Sequence, residues 1–226
     1  MGLWHVFYEG WQMDCCGTPF AVMDEVGRPL LLTDADGVLG GGRHDQLTRL
    51  VGPVEEVPDE EGAAVRILRE ETGLTVALGG EPGAGPRPGD PVRVVGLLTV
   101  ERHGGGGPEV SGRMRAVQVV TQTYEKTAPD SRSWHPVPGE RRLRSVEHCP
   151  KWFTDGAPDE RGRRSVESGV VAALEVPGTD SWLSHAAREA RGIPQEGAVP
   201  GSELWGIGGG EPAELPAGMS TVVPHP

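Results

Sequence analysis

Residues 52–74 read GPVEEVPDEEGAAVRILREETGL, and the secondary structure of this stretch decides how the rest of the chain is read. Asp59 follows Pro58 and suits a helix N-cap, while Gly73 suits a left-handed stop. Between them, at 100° per residue, Ala63, Ala64, Ile67 and Leu68 fall on one stripe, which predicts an amphipathic helix over about 59–72. Glu71 falls on the same stripe and Glu70 at its edge. An ionised carboxylate on an apolar face is costly unless it is paired or holds a metal. Both acids also stand in the last turn, where the helix dipole disfavours negative charge by about 0.3–1 kcal/mol each. Two readings follow. Either Glu70 and Glu71 hold a cation, or Glu70 pairs with Arg66 four residues back, worth about 0.2–0.5 kcal/mol, and Glu71 reaches solvent.

Outward from this stretch, strand signals flank it on both sides. Phe20–Met23, a turn at Asp24–Gly27 and Pro29–Leu32 read as a hairpin. Val92–Val100 and Met114–Tyr124 are rich in Val and Thr and read as two further strands. A second helix is expected over about 160–176 and a third over about 180–191. Gly79–Asp90 and His103–Gly112 read as loops. The order of strand, helix, strands and helix predicts an α+β domain over 18–176. An N-terminal segment over 1–17 precedes it, and a Pro/Gly-rich extension with a short helix over 177–226 follows, in which Trp205 and Ile207 are candidates for local docking.

Composition narrows the function. Gly 35 and Pro 21 among 226 residues, with 36% hydrophobic residues, allow one modest core and several loops. A net charge of −12 argues against nucleic-acid and anionic-membrane binding, because phosphates need clustered Lys and Arg. Three cysteines, the adjacent Cys15 and Cys16 plus Cys149, make neither a disulfide framework nor a zinc spacing. With no basic leader and no apolar run near 18 residues, a reducing cytoplasm is the expected location.

The residues 52–74 resemble a Nudix box, whose pattern is G-x5-E-x7-R-E-U-x-E-E-x-G-U with U aliphatic. Gly52, Arg66, Leu68, Glu70, Glu71, Gly73 and Leu74 match in register, and Glu147 to Phe153 resembles the acid-then-Trp-Phe strand of that family. Two positions depart. Pro58 stands where the family has the glutamate that pairs with its arginine, and Ile67 where it has a metal-binding glutamate. The resemblance implies a Nudix-type α/β/α sandwich with a mixed sheet. It also implies Mg²⁺-dependent (or Mn²⁺-dependent) hydrolysis of a diphosphate linkage in a nucleoside diphosphate derivative or similar small molecule. Glu70 and Glu71 are then metal ligands, aided by the Gly52 carbonyl and Glu55; Arg66 braces the acids, and Glu147 or Glu101 is the candidate base. Glu60 is a further acid near the site, with favourable helix-dipole charge as its plainer role.

Outside the box, Tyr124, Trp134 and His135 are candidates to line a substrate pocket, because the segment from Lys126 to Gly139 is long for a connector. Arg141, Arg142 and Arg144 form a basic cluster on what reads as a solvated loop. Gly104–Gly107 lacks the Lys-Ser/Thr ending of a P-loop. Because Ile67 removes one ligand, the alternative is a catalytically altered protein that keeps the fold, as a ligand-binding or accessory protein or as a non-hydrolytic enzyme of specialised metabolism.

Overall fold

The computed structural model describes residues 1–39, 46–59, 62–79, 86–100, 107–128 and 131–191. In chain order these form β1 (Gly2–Glu9), α1 (Gly10–Cys15), β2 (Glu25–Thr33), α2 (Ala35–Leu39), β3 (Thr48–Pro58), β4 (Ala64–Arg69), β5 (Thr75–Leu78), β6 (Pro91–Val100), β7 (Glu109–Lys126), β8 (Trp134–Val146), β9 (Arg163–Val176) and α3 (Trp182–Ala190). Strands dominate, the sheet is mixed, and the described helices span only six, five and nine residues. The α+β class therefore holds in its coarse form.

Residues 2–9, expected to lie ahead of the domain, are central to it. β1 pairs antiparallel with β9 along its whole length and parallel with β6 at Val6–Leu98 and Phe7–Thr99. β9 pairs with β7, and β7 and β6 both pair with β2, all antiparallel. Following these partners returns to β1, so five strands close into a barrel and leave no free edge among them. Alternation fills its interior. Trp4, Val6 and Tyr8 from β1, Leu30 and Leu32 from β2, Leu98 and Val100 from β6, and Val170, Ala172 and Leu174 from β9 belong to one buried cluster. β7 supplies Val110 and Met114, then Val117 and Val119; an irregularity between Met114 and Ala116 shifts the parity by one.

The outward-facing Phe7, Leu97, Val120 and Val171 are buried too, against Ala35 and Leu39 of α2. β9 is thus covered on both faces and reads as the continuous apolar run Val170–Leu174. That corrects the helix expected over about 160–176. A doubly buried strand and a buried helix segment share the same apolar signal, and the β-branched pair Val170-Val171 resolves it in favour of the strand.

The helix expected over about 59–72 is likewise absent. β3 and β4 form a hairpin in which Val54, Glu55, Glu56, Val57 and Pro58 oppose Leu68, Ile67, Arg66, Val65 and Ala64. Asp59 closes its tip: its Oδ1 accepts from Ala63 N at 2.7 Å, its own N–H donates to Ala63 O, and Gly62 takes φ +83°. A glycine in mid-helix would cost about 0.5–1 kcal/mol, whereas at this turn it relieves strain. β4 continues through a second tight turn into β5, with Glu70 N donating to Leu74 O at 2.7 Å. The β3–β4–β5 strands make a second ring that shares β2 and β6 with the barrel.

Other expectations fare better. The strands foreseen over 92–100 and 114–124 lie within β6 and β7, and the helix foreseen over about 180–191 is α3. The expected hairpin at Phe20–Leu32 contributes β2, but β2 pairs with β5, β6 and β7 rather than with Phe20–Met23. Glu60, Glu101, Gly104 to Gly106 and the extension from residue 192 onward, with Trp205 and Ile207, lie outside the described residues.

α3 is tied back to the barrel through its N-cap. Ser181 Oγ accepts from Ser184 N and Leu3 N and donates to Leu3 O at 2.6 Å. Trp4 Nε1 donates to Thr179 Oγ1 at 3.0 Å. Partial burial pushes the Asp180 carboxyl up, but bonds from Ser184, the Ser181 amide, Arg188 and His185 outweigh it and hold the group down to about 2. A depressed carboxyl stabilises the fold above its unfolded value of about 3.9 and loses that effect as pH falls through the folded value. The α3 anchor is therefore expected to hold at neutral pH and to release between about pH 4 and pH 2. The indole N–H resonance of Trp4 reports this in an acid titration, and Asp180→Asn should remove the transition. A resonance that moves above pH 5 in the parent would contradict it.

Candidate functional site

The residues predicted to form a metal site are spread along the β3–β4–β5 hairpins. Gly52 sits where a Cβ would come 2.0 Å from the Arg69 carbonyl oxygen, so close approach of β3 to the end of β4 explains the glycine. Glu55 is held by Arg69 in a two-pronged ion pair, Nε–Oε1 and Nη2–Oε2 both 3.1 Å, and that bonding lowers its pKa. Arg66 lies opposite Glu56 in the hairpin. Ile67 is 1% exposed, a fully buried core residue. Glu70 Oε2 accepts from the Thr72 amide at 2.6 Å and from its hydroxyl at 2.5 Å, and that hydroxyl oxygen accepts in turn from Asp180 N at 3.1 Å. Glu71 is exposed in the same turn.

The spacing argument for a cation needed a helix, in which positions 67, 70 and 71 share a face. In a strand followed by a turn they do not. Among the described residues no group of three or more His, Cys, Asp or Glu side chains is placed to hold a metal ion. Glu55, Glu70 and Glu71 therefore do not form such a group, Glu55 being committed to Arg69 and Glu70 to Thr72.

Glu147 is exposed just beyond β8, where its carbonyl accepts from Val22 N at 2.9 Å. Tyr124, Trp134 and His135 do lie together, at the far end of the β7–β8 ribbon. Tyr124 opposes Pro136 on one side and Arg164 on the other, while Lys126 opposes Trp134. The Arg164 guanidinium lies 4.3 Å from the Trp134 ring centre and bonds Asp155 at 3.0 Å. His135, one residue on, projects from the opposite face of the ribbon and opposes Glu125. Burial raises the Tyr124 phenol above its ordinary value. Arg141 and Arg144 are engaged as well, with the Leu39 carbonyl and with Glu167.

Sequence reasoning missed a concavity of the barrel. A cleft of about 670 Å³ opens at one mouth of the barrel, between α1 with the segment that follows it and the first half of β2. Its apolar lining includes Tyr8, Met13, Phe20 and Val100, and the Tyr8 and Phe20 rings stand 4.8 Å apart. Gln12 fixes α1 to this rim, its Nε2 donating to Val100 O and its Oε1 accepting from Glu9 N, both at 3.2 Å. Lys151 Nζ closes the C-terminal end of α1 by donating to Met13 O and to Gly17 O.

The polar groups of the cleft are unevenly satisfied. Asp24 Oδ2 accepts from Ala21 N at 2.8 Å, and Glu25 pairs with Arg113 at 2.7 Å. Arg28 bonds only the carbonyl of its neighbour Gly27 at 3.1 Å and has no carboxylate partner among the described residues. The Tyr8 hydroxyl is buried with no hydrogen-bond partner among the described residues. Burial pushes its phenol well above the ordinary value, against the pull of the Arg28 guanidinium. The cleft can thus offer an apolar floor, a phenol and one uncommitted cation. The signal that could have found it is the alternation of Trp4, Val6 and Tyr8, which marks residues 2–9 as a strand with one buried face.

No helix among the described residues is long and apolar enough to cross a membrane. No curated protein and no solved structure matches the chain. One family model does, over residues 2–176, which run from the first residue of β1 to the last of β9. The chain, through its whole barrel, belongs to the family of unknown function DUF6578.

Proposed function

We propose that this protein is a ligand-binding protein whose barrel mouth takes a small, partly apolar molecule carrying one anionic group. The observation that carries the reading is Arg28, a cation without a carboxylate partner among the described residues, beside the apolar floor of Tyr8, Met13, Phe20 and Val100. Pockets for small molecules combine an apolar lining with a few polar groups, and a guanidinium is suited to carboxylates, sulfonates and phosphates. Nearby Asp24 and Glu25 already have partners and leave Arg28 uncommitted.

Titration with the fluorophore anilinonaphthalene sulfonate, an aromatic sulfonate, tests this directly. One saturable site is expected, with affinity falling roughly ten- to hundredfold in Arg28→Gln, the range of a lost charge-assisted hydrogen bond. Equal affinity in parent and variant would remove Arg28 from the account. Magnesium-dependent diphosphate hydrolysis draws its support from the residue order of 52–74 and of 147–153. Phosphate release from nucleoside diphosphate derivatives, abolished by Glu70→Gln together with Glu71→Gln, is the result that would favour it instead.

A further inference from the structure

Two of the three cysteines stand beside this cleft. Cys15 ends α1 and Cys16 is its C-cap, with the Cys16 N–H donating to Gln12 O at 3.1 Å. Both are exposed, and the Cys16 thiol donates to Gln12 O at 3.8 Å. Only Cys16 of the two lines the cleft. The third, Cys149, is buried beneath Phe20, and burial pushes its thiol up to about 12, so it is withdrawn from exchange chemistry.

Adjacent thiols suggest an internal disulfide, but the backbone works against it. The Cys15–Cys16 peptide is trans. Consecutive Cα atoms across a trans peptide are about 3.8 Å apart, whereas disulfides span about 4.4–6.8 Å, so a bridge here would be strained and easily reduced. A bond from Cys16 to a sulfur outside the chain carries no such constraint, and the cleft has room for the group it would bring.

We propose that Cys16 is a site of reversible S-thiolation, in which a low-molecular-weight disulfide leaves one half in the barrel-mouth cleft. The Cys16 thiolate attacks one sulfur of R–S–S–R. The Cys16–S–S–R bond forms, the S–S bond of the incoming disulfide breaks, and R–S⁻ departs with the electron pair and takes up a proton from water. Cys16 is oxidised and the departing thiol is the reduced product. A second thiol reverses the step. Cys15, the nearest resolving thiol, could expel the group only by making the strained bridge, so the mixed disulfide persists.

Intact-mass measurement after incubation with glutathione disulfide tests the proposal on the full chain. Desolvation and the Cys15 thiol raise the Cys16 pKa against the pull of Lys151 and Arg28, so the exchange is run at mildly alkaline pH. One glutathionyl group per chain is expected, mapped to Cys16 by peptide mass and removed by dithiothreitol. The rate should fall at least about tenfold in Cys16→Ser and less than about twofold in Cys15→Ser, since Cys16 alone of the two lines the cleft that receives the incoming group. Loss of two protons without an adduct, equal modification of Cys15, an adduct that survives in Cys16→Ser, or no adduct at all would each overturn it. The mass readout does not depend on the ligand reading above. A second readout does: the adduct should displace anilinonaphthalene sulfonate from the cleft. An adduct on Cys16 in a chain that never binds the dye would sink the ligand reading and leave the thiolation site standing.

Discussion

Ile67→Glu is expected to destabilise the protein by on the order of 3–5 kcal/mol, a large part of the 5–15 kcal/mol that holds a typical domain. Ile67 is fully buried on β4, opposite Glu55 on β3 and Ala77 on β5. A glutamate there meets a second carboxylate across the hairpin, and the nearest cation on that face, Arg69, already holds Glu55 at both ends. The carboxyl must either be buried charged or take up a proton, and either route costs free energy. Its pKa is then raised in the folded state, so the loss should be greatest at neutral pH and smaller in acid. Urea denaturation at two pH values measures both effects. The resemblance to a Nudix box makes the opposite expectation, because it treats Ile67 as a missing ligand. A variant as stable as the parent, or one that gains magnesium affinity, would contradict the hairpin.

The second large effect is expected at Leu98. This fully buried residue pairs in register with Val6 of β1 on one side and Leu32 of β2 on the other, at the parallel seam that closes the barrel. Leu98→Ala should cost about 2–5 kcal/mol, the range for a buried leucine whose cavity cannot fully collapse. Leu143→Ala supplies the control. Leu143 lies on β8, which among the described residues pairs only with β7 and is outside the ring, and it is 37% exposed; its loss should stay within about 0.5 kcal/mol. Comparable losses at the two positions would mean that the β1–β6 seam is not where the fold closes.

The parts of this architecture legible in the sequence are those with local causes. Val92–Val100 and Met114–Tyr124 carry enough Val and Thr to declare themselves strands, and α3 is announced by the Asp180-Ser181 cap. Residues 59–72 misled because Ala63, Ala64, Ile67 and Leu68 satisfy a helical stripe while Ile67 and Leu68 are also the two faces of a doubly covered strand. Gly62, at the turn with φ +83°, was the residue arguing for the hairpin. The candidate site was less legible still. Tyr8, Cys16, Arg28 and Val100 come from separate segments and meet only because the barrel closes. No spacing along the chain joins them. Cys15 and Cys16 are conspicuous in sequence as an adjacent pair, yet only the structure sets one of them on the rim of a cleft.

The central claim is that the barrel mouth is a binding site, and amide correlation spectra recorded during titration with anilinonaphthalene sulfonate test it most directly. The cleft reading predicts that the resonances of Tyr8, Gln12, Gly17, Phe20 and Gly27 shift together along one saturable curve. Those of Tyr124 and Trp134, at the far end of the ribbon, should stay in place. Shifts that never saturate, or that gather on the β7–β8 ribbon instead, would contradict it.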